Sequence, residues 1–475
     1  MTEIRTRFAP SPTGFMHVGS VRTALFAFLV ARQNNGSFIL RLEDTDKARE
    51  VEGSREHLIK SLKALNLAYD EGPDIGGNYA PYVQSERLDI YRRYAQQLID
   101  AGLAYADPYT PAELQAFREQ AQAEKRAFRY RDHRPENPPA WDGTMPLRFR
   151  STPKSYTYHD EVMGDFTTSP EVIDDLILIK SDGYPTYNFA HIVDDAEMHI
   201  THVIRGQEFI SSMPNFLALY EALGLERLIF AHLPHIMNEQ GNKKLGKRDG
   251  AKDTLDYLRD GYLPETLDSF IATLGWNDGT EQEVFTMDEL IAKFSLDRVQ
   301  RSGARFDEKR LLWMNGQMIR SLELDDLYDR VADYWSPAAA QHPEDYCKPV
   351  LALAHDRLKT LRDLPTLTNY FFEEPARDDA LIANNKQLRK LSDDERTELL
   401  RATHQALASL DNWIADNIQT ALNQLLETTG QKPGILFSLI RIVVTWAPFS
   451  PQLNDTLALL GRDRTLARID AYLAA

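Results

Sequence analysis

Strand and helix patterns alternate in the first part of this chain, whereas the last part carries helical patterns alone. A strand at residues 4–8 leads through a turn rich in proline and glycine into a helix that starts near Ser20. A second strand follows at residues 37–42. A strand, a turn of phosphate size, a helix and a second strand are half of a nucleotide-binding α/β unit.

Further elements continue this mixed pattern until about residue 320. They are an amphipathic helix at 53–67, a buried strand at 173–180, a helix entered at Tyr187 and a strand at 200–208. Beyond residue 321 strand signals nearly vanish, and helical patterns repeat at 322–335, 349–361, 392–412, 417–428, 437–446 and 454–474. The chain is therefore predicted to end in an all-α domain.

The first turn, residues 9–19, carries chemistry of its own. His17 and Gly19 stand where the helix begins, so backbone N–H groups and the positive helix end are available to an anion. His17 can also donate to a phosphate oxygen. In isolation a His-x-Gly sequence is more often part of a surface loop. The longer motif around His17 is therefore needed to decide whether the turn binds a phosphate.

Composition sets further bounds on the 475 residues. A net charge of −17 argues against a general nucleic-acid binder, although local basic patches still allow RNA recognition. No apolar run reaches membrane length, and the N-terminus does not read as a signal peptide. The single cysteine, Cys347, excludes an internal disulfide and a cysteine-rich zinc site. We expect a cytoplasmic protein.

The run Ala-Pro-Ser-Pro-Thr-Gly-Phe-Met-His-Val-Gly at residues 9–19 resembles the HIGH signature of class I aminoacyl-tRNA synthetases, in its glutamyl/glutaminyl form. Arg-Leu-Glu-Asp-Thr-Asp at 41–46 and Asp-Gly-Tyr-Pro-Thr-Tyr at 182–187 match the same branch. Lys-Leu-Gly-Lys-Arg at 244–248 is similar to its KMSKS loop, with Gly246 where the family usually has serine. The similarity is strong through about residue 320 and weaker beyond.

This resemblance implies an α/β Rossmann-type catalytic domain with a connective insertion and a stem-contact region, followed by an all-α anticodon-binding domain. The implied boundaries are a first Rossmann half at 1–106, the insertion at 107–181, a second half at 182–240, the KMSKS-like loop and stem-contact region at 241–320, and the anticodon-binding domain at 321–475. A glutaminyl enzyme would be expected to carry a β-barrel in the last position. Some relatives bind zinc in the insertion through three cysteines and a histidine; here only His133 remains, so we expect no zinc.

The resemblance also implies roles for individual residues. Lys244 and Lys247 would join His17 in catalysis by stabilising the phosphates. ATP would contact Pro10, Gly14, His17, Gly19, Glu208, Leu245 and Lys247. Glutamate would contact Arg7, Ala9, Ser11, Glu43, Tyr187, Asn188 and Arg205. Arginine grips carboxylates bidentately, so Arg7 would take the side-chain carboxylate, Arg205 the α-carboxylate and Glu43 the ammonium.

The expected activity is ATP-dependent activation of L-glutamate to glutamyl-adenylate, with Mg²⁺ accompanying ATP, and transfer to the 3′-terminal adenosine of tRNA-Glu. No side chain need act as a nucleophile, and we expect a monomer. Charging of tRNA-Gln as well stays open, since anticodon discrimination rests on a few helical-domain residues such as Arg357. Less favoured alternatives are a paralogue that glutamylates a modified tRNA base, a small nucleotidyltransferase, and a catalytically silent tRNA-binding paralogue, which Gly246 would suit.

Overall fold

Residues 3–246, 252–447 and 449–474 are described by the computed structural model. They divide into two units. The first comprises Met1–Tyr257 and Pro264–Glu308, and the second comprises Leu258–Leu263 and Lys309–Ala475. The first contains every strand of the described residues, and the second is helical.

The strands of the first unit form one large sheet and two small ones. They are β1 (Arg5–Phe8), β2 (Ser37–Leu40), β3 (Ala104–Ala106), β4 (Leu147–Phe149), β5 (Thr157–Asp160), β6 (Gly164–Thr167), β7 (Ile177–Ile179), β8 (His202–Gly206), β9 (Ile229–Leu233), β10 (Ile236–Met237) and β11 (Ala304–Arg305). The large sheet has the order β2-β1-β8-β9-β5-β6 and is parallel except for the β5–β6 hairpin. The small sheets are antiparallel β3-β4-β7 and parallel β10-β11.

Helices cover the large sheet and extend the first unit. They are α1 (Val18–Gln33), α2 (Ser54–Ala64), α3 (Leu88–Asp100), α4 (Pro111–Ala123), α5 (Tyr187–Glu197), α6 (Met213–Ala222), α7 (Thr254–Arg259), α8 (Pro264–Ala272) and α9 (Met287–Lys293). Most of α1 is buried, because it packs on β1, β2 and β8 as well as on α8 and α9. A helix that is apolar on nearly all sides is held by such a position.

The second unit confirms the prediction of an all-α C-terminal region. Its helices are α10 (Glu308–Ser321), α11 (Leu324–Arg330), α12 (Glu344–Ala354), α13 (Leu364–Thr368), α14 (Ala380–Asn384), α15 (Asp393–Ala408), α16 (Ala415–Thr429), α17 (Pro433–Thr445), α18 (Leu453–Leu460) and α19 (Arg462–Leu473). Helices α15 to α19 pack around a shared apolar core. Arg357 is exposed in this unit.

Two boundaries predicted from the sequence differ from the sheet topology. Strands β5 and β6 belong to the large sheet, although they fall inside the predicted insertion at 107–181. Strand β3, placed in the first Rossmann half, pairs instead with β4 in the small sheet. The long segment of the second unit begins at Lys309, inside the predicted stem-contact region at 241–320.

The strand predicted at residues 173–180 is wrong in extent, since only Ile177–Ile179 is a strand. The two aspartates before it use their backbone donors elsewhere. Asp174 donates its N–H to the Asn215 side chain at 2.9 Å, and Asp175 donates to the Asp174 carboxylate at 2.8 Å. Backbone donors bonded to side chains cannot join a neighbouring strand.

Candidate active site

The turn after β1 is closed by His17, which caps α1. Its Nδ1 accepts from the N–H groups of Gly19 at 3.1 Å and Ser20 at 3.4 Å. This pattern assigns the proton of the neutral ring to Nε2, which leaves that nitrogen as a donor. The helix begins two residues before the predicted Ser20, because the histidine itself serves as the cap.

A cavity of about 730 Å³ opens at the carboxyl ends of β1, β8 and β9. Its walls bring together eleven of the residues predicted for catalysis or for binding ATP or glutamate: Arg7, Ala9, Pro10, Ser11, His17, Gly19, Glu43, Tyr187, Arg205, Glu208 and Lys244. Carboxyl ends of parallel strands are where open α/β sheets bind ligands. Residues far apart in the sequence therefore meet at one site.

Arg205 is the most unusual charge in this cavity. It is 5% exposed, and no ion pair to a carboxylate is found for it within the described part of the chain. Its partners are neutral: Nε donates to His232 at 3.1 Å, Nη1 lies 3.4 Å from His191 and Nη2 lies 3.0 Å from the Met213 sulfur. A buried cation without an acid is costly unless a ligand supplies the anion.

Aromatic rings enclose the same guanidinium. Its carbon lies 4.9 Å from the Phe209 ring centre and 5.0 Å from that of Phe216. Tyr187 stacks on Phe209 at 5.1 Å and on His191 at 4.7 Å. Burial raises the pKa of Tyr187 to about 12, so it stays a neutral donor. The pocket around Arg205 thus has mostly aromatic walls and a cationic group at its base.

Arg7, by contrast, already has a carboxylate partner. Its Nε and Nη2 donate to Asp195 at 3.1 and 3.3 Å. Arg41 donates to the same aspartate at 2.7 Å and to Glu43 at 2.9 Å. Burial works against ionisation of Asp195, but the two arginines lower its pKa well below the ordinary range. The four side chains form one buried ionic network.

Glu43 is the member of that network whose carboxyl pKa is raised. Burial raises its pKa to about 6, while Arg41 and Arg7 act in the opposite direction. The Glu43 side chain is 4% exposed in its ion pair and lines the cavity. A buried carboxylate at a ligand cavity is suited to an ammonium group, which would stabilise its ionised form.

The other end of the cavity is more polar and exposed. Lys244 lies 4.0 Å from Glu208, and His235 lies 3.9 Å from the second oxygen of the same carboxylate. After the undescribed residues 247–251, the backbone of Asp253 pairs with that of His17. Thr254 donates its N–H to the Met16 carbonyl at 3.1 Å. The segment that follows the lysine-rich loop is therefore tied directly to the His17 turn.

Comparisons with known proteins agree with this geometry. The model for the catalytic domain of class I tRNA synthetases (E and Q) matches residues 3–313, and an anticodon-binding domain model matches 326–473. A glutamate–tRNA ligase of Clostridium botulinum (strain Hall) is 40% identical over 98% of this chain and 97% of its own length. The chain belongs to the glutamate–tRNA ligase family of class I synthetases.

Other relatives of this synthetase family span the same full length. A glutamate–tRNA ligase of Chloroflexus aurantiacus is 39% identical over 99% of this chain and 98% of that protein. A crystal structure of a glutamate tRNA ligase from Elizabethkingia meningosepticum, in complex with its amino acid, matches with a TM-score of 0.88. It is 32% identical and covers 100% of this chain and 99% of that one. Class I synthetases use ATP, so the family also accounts for the phosphate-sized turn.

Four predicted residues of the synthetase site do not line the cavity or cannot be placed. Gly14 lies at the tip of the turn, and Leu245 donates its N–H to the Ile236 carbonyl at 2.8 Å. Asn188 follows Tyr187 on α5, and the helical rotation of one residue carries its side chain away from the cavity. Lys247 lies outside the described residues.

Sequence reasoning missed the residues that hold the ligand-facing charges in place. They are Arg41, Asp160, His191, Asp195 and His232. Asp195 stands in a polar pair on α5, and nothing in its spacing from Arg7, 188 positions away, signals their contact. The signal that could have found Arg41 was its place beside Glu43 in the Arg-Leu-Glu-Asp-Thr-Asp motif.

His133, the remaining candidate zinc ligand in the predicted insertion, contacts aromatic side chains. His133 stacks on Phe117 at 4.3 Å and on Phe128 at 5.7 Å. Among the described residues, no group of three metal-binding side chains is placed to hold an ion. No described helix is long and apolar enough to cross a membrane.

Proposed function

We propose that this chain is a glutamate–tRNA ligase that activates L-glutamate with ATP and transfers it to the 3′-terminal adenosine of tRNA-Glu. The observation that carries the proposal is that the cavity contains both the buried Glu43 and the buried Arg205, which pairs with no carboxylate of the described residues. An amino acid with two carboxylates and one ammonium complements this charge pattern, with Arg7 as the second cation.

The two arginines differ in how much of their charge is available. The family resemblance implies Arg7 for the side-chain carboxylate and Arg205 for the α-carboxylate. The ammonium and α-carboxylate of an amino acid share one carbon, so the cation nearer Glu43 is the better partner for the α-carboxylate. Arg7 belongs to the same ionic network as Glu43, because Asp195 and Arg41 link the two side chains. The contacts of Arg205 are with His232, His191 and Met213 instead. We therefore assign the side-chain carboxylate to Arg205.

This assignment has its own test in competition by glutamine. Glutamine carries an amide in place of the side-chain carboxylate, so it gains much less from a cation at that position. An Arg205→Met variant should have a higher KM for glutamate, while its inhibition constant for glutamine should change little. The ratio of the glutamine inhibition constant to the glutamate KM should therefore fall. If Arg205 instead binds the α-carboxylate, which both amino acids carry, the variant would lose both affinities equally.

The reaction needs positioning and charge rather than a protein nucleophile. The glutamate α-carboxylate attacks the α-phosphate of ATP and pyrophosphate leaves. The 3′-terminal ribose hydroxyl of the tRNA then attacks the glutamyl carbonyl and AMP leaves. His17 at the helix start, Lys244 and, outside the described residues, Lys247 would stabilise the phosphate charge.

Mg²⁺ would enter with ATP, because this ion keeps most of its ligands from phosphates and water rather than from a protein cage. The cavity residues agree with that, since Glu208 and Asp46 are scattered carboxylates on its wall and not a cluster. When bound, the ion would neutralise phosphate charge during the transfer. The residues of this chain would orient the two substrates around it.

The decisive experiment is glutamate charging of purified tRNA-Glu and tRNA-Gln in parallel, with ATP and Mg²⁺. Charging of tRNA-Glu alone supports the proposal in its discriminating form. Charging of both supports a non-discriminating enzyme, whose glutamyl-tRNA-Gln would need an amidotransferase. Binding of tRNA without any charging would refute the proposal and indicate the silent paralogue, for which Gly246→Ser would be the first reversion to test.

A further inference from the structure

Three neighbouring strands of the large sheet place an aspartate, a histidine and an arginine in a row. Asp160 ends β5, which pairs with β9, and His232 on β9 is the register partner of Arg205 on β8. All three are buried, with exposures of 0%, 0% and 5%. The row runs from the interior of the first unit to the wall of the cavity, which only Arg205 reaches.

The hydrogen bonds along this row have a single consistent direction. Asp160 is fixed by the backbone N–H groups of Met163 at 2.8 Å and Val162 at 3.1 Å, and it faces His232 Nδ1 at 2.5 Å. A carboxylate can only accept, so Nδ1 carries the ring proton and Nε2 is left with its lone pair. That lone pair accepts from Arg205 Nε at 3.1 Å.

His191 repeats the arrangement on the other side of the guanidinium. Its Nδ1 donates to the Tyr187 carbonyl at 2.8 Å, so its Nε2 also presents a lone pair, 3.4 Å from Arg205 Nη1. Two neutral acceptors therefore orient the arginine without cancelling its charge. An acid in either place would orient it equally well but would compete with the substrate carboxylate.

We propose that Asp160 and His232 are positioning residues for substrate recognition: by fixing the tautomer of His232, Asp160 holds Arg205 in the orientation that binds a glutamate carboxylate. This inference rests on the proposed function and extends it to residues that do not touch the substrate. It requires Arg205 to be a carboxylate ligand, and it does not depend on which of the two carboxylates is bound.

The sharpest test is Asp160→Asn, which keeps the shape of the side chain and turns the acceptor that faces His232 Nδ1 into a donor. The His232 backbone N–H, which lies 3.2 Å from both carboxylate oxygens, keeps the remaining oxygen as its acceptor. The backbone donors retain the amide oxygen, so the amide nitrogen faces His232 Nδ1 and drives the ring proton to Nε2. That proton then opposes the Arg205 Nε–H. We expect the glutamate KM to rise about tenfold, the value of one charge-assisted hydrogen bond, with the ATP KM changing less than about twofold.

A second pair of variants separates tautomer from packing. His232→Gln places a carbonyl oxygen near the former Nε2 and should stay within about threefold of wild type, whereas His232→Leu should raise the glutamate KM about tenfold or more. In the His232→Gln background no ring is left to flip, so adding Asp160→Asn should have little effect. This loss of effect would show that Asp160 acts on Arg205 through the His232 ring.

The control is Asp165→Asn, the same substitution in the exposed pair of Asp165 with His159 on the β5–β6 hairpin, which lie 2.7 Å apart. It should behave as wild type. The inference is overturned if Asp160→Asn leaves the glutamate KM unchanged, if the ATP KM moves equally, or if its effect is as large in the His232→Gln background. If Asp160→Asn does not fold, equal KM values for His232→Gln and His232→Leu overturn it. Failure of wild type to charge tRNA refutes the proposed function itself.

Discussion

Replacing Arg205 by methionine should separate activity from stability, because this buried cation has no acid partner among the described residues. A truncated partner of a buried charge pair costs about 2–5 kcal/mol of binding, so kcat/KM for glutamate should fall by a factor between roughly 30 and 4,000. The ATP KM should stay near that of wild type.

The stability of the Arg205→Met variant should not fall with its activity. Arg205 contributes ring contacts with Phe209, Phe216 and Phe230 at 4.9–5.9 Å, each worth about 0.5–1 kcal/mol. Removing the unpaired ion also removes a burial cost of several kcal/mol, which offsets those contacts. We expect the free energy of unfolding to stay within about 1 kcal/mol of wild type or to increase.

Arg41→Met is the matched control, because Arg41 is equally buried but pairs with Asp195 at 2.7 Å and Glu43 at 2.9 Å. Its loss should destabilise the protein by about 3–5 kcal/mol. The assays are thermal melting and glutamate-dependent tRNA charging of both variants. A melting temperature for Arg205→Met as low as that of Arg41→Met would show a structural arginine and refute the reasoning, as would unchanged glutamate kinetics.

Three further predictions concern the same cavity. Glu43 has its pKa raised to about 6, so it gains a proton and loses its ammonium-binding charge as the pH falls through 6; kcat/KM for glutamate should drop about tenfold per pH unit below that value, and a flat profile down to pH 5 would contradict this. Asp195→Asn should destabilise the protein by about 3–5 kcal/mol at pH 7, because two arginines lose their anion. The lowered pKa of Asp195 means that this stabilisation is complete above the unfolded value of about 3.9 and is lost only at lower pH, so urea melts of the two proteins should converge in strong acid and not at pH 5. His17→Asn keeps a helix cap and should melt like wild type, yet it removes the ring donor and should slow adenylate formation roughly 10²-fold; His17→Ala should in addition lose about 1 kcal/mol of stability, and equal rates for Asn and wild type would show that the histidine only caps α1.

Local signals account for the elements that bear the site. The helix after the first turn follows from its apolar spacing, and the start of α5 at Tyr187 follows from the Pro-Thr before it. The family resemblance of the motifs implies one shared pocket for Arg7, Glu43, Tyr187 and Arg205, and all four line the cavity. Element ends were less well predicted, as in the strand before Lys180, because a side-chain acceptor distant in the sequence can take a backbone donor: Asn215 accepts from the N–H of Asp174 across 41 residues.

The sequence by itself determined the family, the α/β then all-α order, and the types of charge at the cavity, because these are written in contiguous motifs and short periodicities. Only the tertiary structure decided which charges are already neutralised. Arg7 and Arg205 look equivalent in the chain, yet the fold sets Arg7 against Asp195 of α5 and Arg205 against His232 of the neighbouring strand β9. The reason is that burial and pairing depend on elements that meet across as many as 188 residues, and hydrophobic periodicity carries no record of those neighbours.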